Sequence, residues 1–495
     1  MGLEIERAEF DDTSIRTFRR RLSDNLAALA EVMSRPTFGT GPASLGAELE
    51  LYLVDGDGRP LPRNAELLEA CADPRLTLEL NRFNIEFNLS PVSAAGRPFS
   101  AIETEMHEAL GLANRHAAEL GGRAAAIGIL PTLKRPDLGP QAMTDQNRYR
   151  ALSEALKRMR GDRFAIAING PDPLSLLAHE VTLEGANTSM QLHLKVAPKA
   201  FARLFNALQF LTPPVLAVSS NSPFLLGHRL WHETRVPLFK QSIDGRDAES
   251  RATHLPARVD FGHGWVRRDA YELFAHTVYV HEPILPICAE EDPLEVCAAG
   301  GTPGLYELRL HQGTCWPWNR PVFDPNGDGH LRIELRSLPA GPSPADMIAN
   351  AAFAVGSAVG FAAQVEDMLP AMPFPIASQN FYRAAQFGID AELMWPHRDD
   401  RRLERTPAVD IARALLPTAA AGLAELGVEE AESQHYLGII EARLDARRTG
   451  ALWQLAEVAR HEPDLGRDRA LARMLQRYLE YADANLPVAH WEIDP

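Results

Sequence analysis

The sequence predicts an α+β fold: a mainly antiparallel, curved sheet with helices packed outside it and a helical C-terminal region. Two observations carry this. Strand and helix signals mix through residues 43–340 without the strict alternation of a doubly wound parallel sheet, and from residue 344 onward nearly every segment has helical periodicity. The organisation expected is an N-terminal helical segment (1–42), an α+β domain (43–395) and a helical extension packed on it (396–495).

The elements follow in order. A charged amphipathic segment at 14–33 reads as a helix and ends at a Pro/Gly-rich loop, 36–42. Residues 45–54 (LGAELELYLV) alternate with period two, placing Leu45, Ala47, Leu49, Leu51 and Leu53 on one face and Gly46, Glu48, Glu50, Tyr52 and Val54 on the other. Residues 76–89 read as a strand pair or one long strand, 99–120 and 149–160 as helices, 164–169 and 188–196 as strands, and 199–218 as a helix. Residues 331–338 form a further strand, entered through the turn Asp324-Pro325-Asn326-Gly327-Asp328-Gly329. That turn resembles a calcium loop, but Leu335 stands where a bidentate Glu would be needed, so a hairpin is the better reading. Helices are expected at 345–365, 380–393, 407–416 and 418–426, with Pro417 breaking the last two apart. The C-terminal arginines Arg443, Arg447 and Arg448 are expected on a solvated helix face.

Composition narrows the function. With 495 residues, 45% hydrophobic and 23% charged, the chain is long enough for a large core, and a formal net charge of −16 argues against a nucleic-acid binder or an anionic-membrane protein. Four cysteines (Cys71, Cys288, Cys297, Cys315) form no C-x-x-C pair, and the N-terminus carries acids where a signal peptide has a basic region, so a reducing, cytoplasmic location is expected. The most apolar stretch, 351–363, is shorter than the ~20 residues needed to span a bilayer and reads as a buried helix.

Chemistry concentrates on the strands. Glu48 and Glu50 share one strand face, about 7 Å apart from the rise of ~3.3 Å per residue, and two like charges so placed repel unless a cation joins them. Glu79 and Glu86 lie on the next strand run at opposite parity, so a bend is required to bring both to one site. The strand at 188–196 turns Ser189, Gln191, His193 and Lys195 to a polar face, and 331–338 offers Glu334 between Arg332 and Arg336. Carboxylate clusters suit hard cations such as Mg²⁺, and guanidinium groups suit phosphate or carboxylate. Taken alone, each of these faces also suits ordinary solvation. Cys315, between Thr314 and the tryptophans Trp316 and Trp318, reads as core packing or as part of a pocket for a second substrate.

As an ordered set these residues resemble the glutamate-cysteine ligases of bacterial and plant type and their carboxylate-amine ligase relatives, within the glutamine synthetase superfamily. The set comprises GAELELYLVD (46–55), Glu79 with Asn84-Ile85-Glu86-Phe87-Asn88, Tyr149-Arg150, the Gln191/His193 strand, Asn221-Ser222-Pro223-Phe224 followed by Gly227 and Arg235, Ile333-Glu334-Leu335-Arg336, and Asn380-Phe381-Tyr382-Arg383. The resemblance implies a glutamine synthetase-like active-site funnel, small amino-acid substrates, ATP, and Mg²⁺ with Mn²⁺ as the alternative cation. It implies metal ligands Glu48, Glu50, Glu79, Glu86, His193 and Glu334, and catalytic roles for Arg336 and Glu334. It further implies ATP contacts from Arg336 and Arg150, and substrate contacts from Arg235, Arg150, Tyr149 and Gln191. The family pattern has Ser two positions before the arginine matching Arg235, whereas this chain has Glu233. The reaction so implied joins a glutamate-like carboxylate to an amine, cysteine first among them, through an acyl phosphate. A guanidino kinase of the same superfamily, or a non-catalytic nucleotide and amino-acid sensor, is the alternative.

Overall fold

The computed structural model describes residues 10–161, 163–397 and 399–493. Its strands are β1 Ser44–Asp55, β2 Leu76–Leu78, β3 Asn84–Asn88, β4 Val92–Ser93, β5 Gly122–Ala125, β6 Phe164–Ile168, β7 Leu174–Ala178, β8 Met190–Val196, β9 Phe224–Leu225, β10 His228–Arg229, β11 Asn319–Asp324, β12 His330–Leu335, β13 Glu392–Pro396 and β14 Leu403–Pro407. The main sheet runs β11-β12-β8-β1-β3-β2, with β4 and β5 also paired to β1. Every pairing in it is antiparallel. β1 changes partner along its length: Leu45 to Leu49 face β8 while Tyr52 to Asp55 face β5, and this division curls the sheet. The predicted α+β class and antiparallel sheet are therefore found.

Alternation decides which face is buried. Leu45, Ala47 and Leu49 of β1 stand in register with Leu194, Leu192 and Met190 of β8, and Ile333 and Leu335 of β12 continue those rows. All are buried in the largest apolar core, beside the helices Phe201–Ser219 and Pro344–Ala362. Each such leucine, isoleucine or methionine contributes roughly 1.5–3 kcal/mol of hydrophobic stabilisation. These two helical regions are long and apolar enough to cross a membrane, and 89% of each apolar window is buried inside the fold.

The helix Ala408–Glu425 runs unbroken through Pro417, contrary to the expected break. Its partner explains why. A Cβ on Gly422 would lie 2.0 Å from the Gly356 carbonyl oxygen, and one on Gly360 would lie 2.1 Å from that of Thr418, so the backbones of two helices touch and hold the second straight. The expected helix at 380–393 is also corrected: it spans Phe374–Phe387, stops at Gly388 with φ 55°, and gives way to β13. Asn380 secures that strand, its Nδ2 donating to Met394 O at 2.8 Å and its Oδ1 accepting from Met394 N at 2.9 Å.

The C-terminal helices close the molecule rather than trailing from it. Trp453, Tyr478 and Trp491 share a second core with Tyr52, Phe83 and Ile127, and the Tyr478 hydroxyl donates to Ala126 O at 2.9 Å. Arg443, expected on a solvated face, is instead buried, pairing with Asp346 at 2.7 Å and donating to Asn350 Oδ1 and Val218 O. Arg447 is exposed as expected.

Candidate active site

The polar face of the sheet is organised in rows across the strands. Register places Arg320 of β11 beside Glu334 of β12, Glu334 beside His193 of β8, and His193 beside Gly46 of β1. The next row sets Gln191 beside Glu48 and Glu48 beside Asn88, and the third sets Glu50 beside Glu86 and Glu86 beside Thr77. Glycine at 46 leaves open the position above His193. Glu79 follows β2 directly, and the turn into β3 supplies the bend that the parity of Glu79 and Glu86 demanded.

The side chains converge. His193 Nε2 lies 3.0 Å from Glu48 Oε1, and the ligand atoms of Glu48, His193 and Glu334 all lie within 4.8 Å of one another. Arg320 Nε donates to Glu334 Oε2 at 2.5 Å, and Arg336 donates to both Glu334 Oε1 and Gln191 Oε1. Gln191 in turn donates to Glu50 Oε1 at 2.8 Å, and Ser189 holds Glu50 Oε2 through its backbone N–H at 2.6 Å and its hydroxyl at 3.0 Å. Asn88 Nδ2 donates to Glu86 Oε1 at 3.0 Å.

Electrostatics divides these acids. Burial alone would raise Glu334, but Arg320, Arg336 and His193 outweigh it and hold the carboxyl down to about 2. Glu48 is likewise driven upward by burial, yet His193 and Arg336 are among the charges holding it well below the carboxylate range. Burial first and Glu86 second push Glu50 to about 7; burial and Glu50 push Glu79 to about 7; burial, Glu48 and Glu79 push Glu86 to about 8. A divalent cation fits this donor set. Glu48, His193 and Glu334 would hold one ion, and Glu50, Glu79 and Glu86 are oxygen donors that lack any basic partner in direct ion-pair contact among the described residues.

Other expected residues fall differently. Tyr149 is buried next to Glu79, its hydroxyl donating to Leu78 O at 3.0 Å. Arg150 is not in the site: it is exposed, bonded to Asp145 and to Asn147 Oδ1 at 2.7 Å, because helical spacing turns it away from the side that Tyr149 buries. Arg148 takes the inner position, donating to Leu78 O at 2.8 Å and lying 4.6 Å over the Tyr149 ring. Gln191 is a bridge between Arg336 and Glu50 rather than a free substrate contact. Arg235 is buried behind the site, with Nη1 3.3 Å from Glu233 and 3.2 Å from Ser337 O, so in this state its fork is engaged within the protein. Glu233, the departure from the family pattern, accepts from Ser222 and from Asn221 N at 3.0 Å, which fixes the pair. Cys315 is fully buried and lines a cavity on the opposite face of the sheet.

Besides Arg148, two residues escaped the sequence. Arg320 was findable, since the hairpin turn at 324–329 puts residue 320 opposite 334. Glu184, which burial and then Glu79 push to about 8, sits in the short 3-10 segment Val181–Ala186, where no periodicity marks it.

Such a face, acids and one imidazole on a curled antiparallel sheet with arginines at its edge, defines a site for handling polyanions with cations. A family model described as Glutamate-cysteine ligase family 2 (GCS2) matches residues 44–463, and the chain belongs to that family. It is similar to the glutamate–cysteine ligase of Haloferax volcanii, at 32% identity over 193 residues, and to that of Haloquadratum walsbyi, at 27% over 197 residues. Each alignment covers 37% of this chain and 45% of the relative, less than half the relative's length. A relative from Frankia alni is 24% identical over 393 residues, 78% of this chain and 85% of its own. Among solved structures, the glutamate–cysteine ligase of Francisella tularensis in complex with AMP aligns with 92% of this chain and 91% of its own, at 12% identity and a TM-score of 0.49.

Proposed function

We propose that this chain is an ATP-dependent ligase that joins a glutamate-like carboxylate to an amine, with cysteine as the leading amine and γ-glutamylcysteine as the product. The observation that supports this most is the convergence of Glu48, His193 and Glu334 within 4.8 Å, flanked by Arg336 and by three further carboxylates. A carboxylate is a poor electrophile. Its oxygen attacks the γ-phosphorus of ATP, ADP leaves, and the acyl phosphate then yields the amide as the amine expels phosphate. Both steps load negative charge onto phosphoryl oxygens, which a family of cations and guanidiniums stabilises by position alone.

The divalent cations assigned to this site, Mg²⁺ or Mn²⁺, supply Lewis-acid neutralisation of phosphoryl charge when bound. Everything else falls to the chain. His193 orients Glu48, Arg320 fixes Glu334, and Ser189 with Gln191 fixes Glu50, so the oxygen donors are preorganised. Arg336 donates to both Glu334 and Gln191 within the carboxylate rows and is the group assigned to the transferring phosphoryl.

The test is ADP release by the purified chain with Mg²⁺ and amino acids supplied singly and in pairs, with the products identified by mass. Release that requires glutamate together with an amine supports the ligase. A phosphoguanidine formed from one guanidino compound, or ATP binding without ADP release under every pair, replaces it with the kinase or the sensor.

A further inference from the structure

The reverse face of the sheet borders a second cavity. A cavity of about 430 Å³ lies between β11, the helix Phe201–Ser219 and the stretch from Arg258 to His281. On β11 the side chains alternate: Arg320 joins Glu334 on the polar face, while Asn319 and Pro321 line this cavity from the other side. It is thus separated from Glu48 and its neighbours by the thickness of the sheet.

The lining carries a charge with no counterion. Arg258 is 5% exposed, and its guanidinium meets only neutral groups: Nη1 donates to Thr314 O at 3.1 Å and lies 3.5 Å from Cys315 Sγ, and Nη2 donates to Glu282 O. Among the described residues no carboxylate is within ion-pair distance of it. The acids that share the lining are already occupied, Asp260 by His263 at 2.6 Å and by Gly262 N at 2.8 Å, Glu272 by the backbone N–H groups of Arg267 and Arg268. A buried cation without an anion is costly.

Acceptors are unsatisfied beside it. Gln312 Oε1 and Asn319 Oδ1, on side chains 6% and 3% exposed, are buried and make no hydrogen bond, although their amide nitrogens are bonded to Thr277 and to Gln209 and Thr212. The rest of the wall is mixed, with the aromatic rings of Phe205, Phe261 and Trp265 beside the imidazoles of His263, His276 and His281. One unpaired cation, two unpaired acceptors and aromatic walls in one cavity describe a small zwitterion with an apolar body. We propose that this cavity is a binding site for a free α-amino acid with an apolar side chain, its carboxylate on Arg258 and its ammonium on the Gln312 and Asn319 carbonyls. The cavity is also joined to the other face, because the Gln312 backbone oxygen accepts from Arg320 Nη1 at 3.3 Å and Arg320 holds Glu334.

The experiment is calorimetric titration of the full chain with L-phenylalanine, L-phenylalaninamide, which lacks the carboxylate, and 3-phenylpropionate, which lacks the ammonium, in saturating ATP and Mg²⁺. L-Phenylalanine is expected to bind saturably and roughly ten-fold or more tighter than either analogue, the discrimination that charge-assisted hydrogen bonds give. Arg258→Gln abolishes the preference over the amide, and Leu273→Trp, which fills the cavity from the helix Tyr271–Val280, abolishes binding. Equal binding of all three compounds, no saturable binding of any, or wild-type binding in Leu273→Trp overturns the proposal. Should Arg258→Gln fail to fold, the analogue comparison and Leu273→Trp decide it. Because binding is read directly, the result stands apart from whether the chain releases ADP.

Discussion

The two halves of the active face treat the same residue type in opposite ways. On the β8–β12–β11 side, Glu334 is completely buried yet sits between Arg320 and Arg336 and is held near 2. On the β1–β3–β2 side, Glu50, Glu79 and Glu86 face chiefly each other, and burial with mutual repulsion lifts them to about 7, 7 and 8. The first half is a preformed anion, compensated by the protein. The second is a set of acids with no basic partner in ion-pair contact among the described residues, and the contrast teaches that one sheet face can set a compensated carboxylate beside carboxyls that burial and repulsion keep near neutrality.

Substitution separates the halves most sharply. Glu334→Gln and Glu48→Gln are each expected to lower ADP release by about a thousand-fold or more, since each removes an anionic donor that positions several kcal/mol of phosphoryl stabilisation. Their stabilities differ from the other half's. Glu334→Gln leaves two buried guanidiniums short of a partner and costs roughly 3–5 kcal/mol, whereas Glu86→Gln removes repulsion and leaves the metal-free protein as stable or more so. Chemical denaturation of both variants without metal checks this; equal destabilisation would erase the distinction between the halves.

The buried pair behind the site comes next in size. Arg235→Met or Glu233→Met alone is expected to cost roughly 3–5 kcal/mol, because each leaves its partner charged and dry, while the double variant costs markedly less. Strict additivity in the double-variant cycle would show that Arg235 and Glu233 are not a structural unit.

A smaller effect is carried by pH. Glu50, Glu79, Glu86 and Glu184 have folded values raised above the ordinary 4.5, so their contribution to stability is fully present below about 4.5 and is lost as pH rises through about 7 to 8. Glu334 has the opposite sign: its contribution is present above 4.5 and lost only as pH falls toward 2. The Tm of the metal-free protein should therefore decline from mildly acidic to mildly alkaline pH, and added Mg²⁺ should raise it more at the alkaline end, where the acids are ionised and bind best. A Mg²⁺ increment that does not change with pH would detach these acids from the cation.

Legibility followed periodicity. Glu48, Glu50, Gln191, His193 and Glu334 were readable because alternation in a strand assigns a face without tertiary knowledge, and the rows they form across β1, β8 and β12 match that reading. Glu79 and Glu86 needed a bend that the sequence required but did not display. Glu184 was invisible because a 3-10 segment has no apolar rhythm, and the unbroken helix through Pro417 was misread because Gly356, Gly360 and Gly422 act only through a partner helix far along the chain. Arg150 shows the complementary failure: a matching motif fixed its order in the chain, while the helix decided its direction.

That helix supplies the smallest and most local contrast. Arg148 and Arg150 are two residues apart on Asn147–Arg160, which rotates them to different sides. Arg150 lies at the surface against Asp145, itself 92% exposed, and such an ion pair contributes between about 0 and 1 kcal/mol. Arg148 bonds the Leu78 carbonyl immediately before Glu79, and it is among the charges that draw Glu79 down against burial and Glu50. Arg150→Ala should leave ADP release within about two-fold of the parent and stability within about 0.5 kcal/mol, the range usual for surface positions. Arg148→Ala should raise the Glu79 carboxyl further, and so shift the Mg²⁺ concentration for half-maximal ADP release upward at neutral pH, with the shift shrinking as pH rises and Glu79 ionises regardless. If Arg150→Ala instead raises the KM for ATP while Arg148→Ala leaves Mg²⁺ dependence untouched, the outer arginine swings inward during turnover and the assignment of the two positions is reversed.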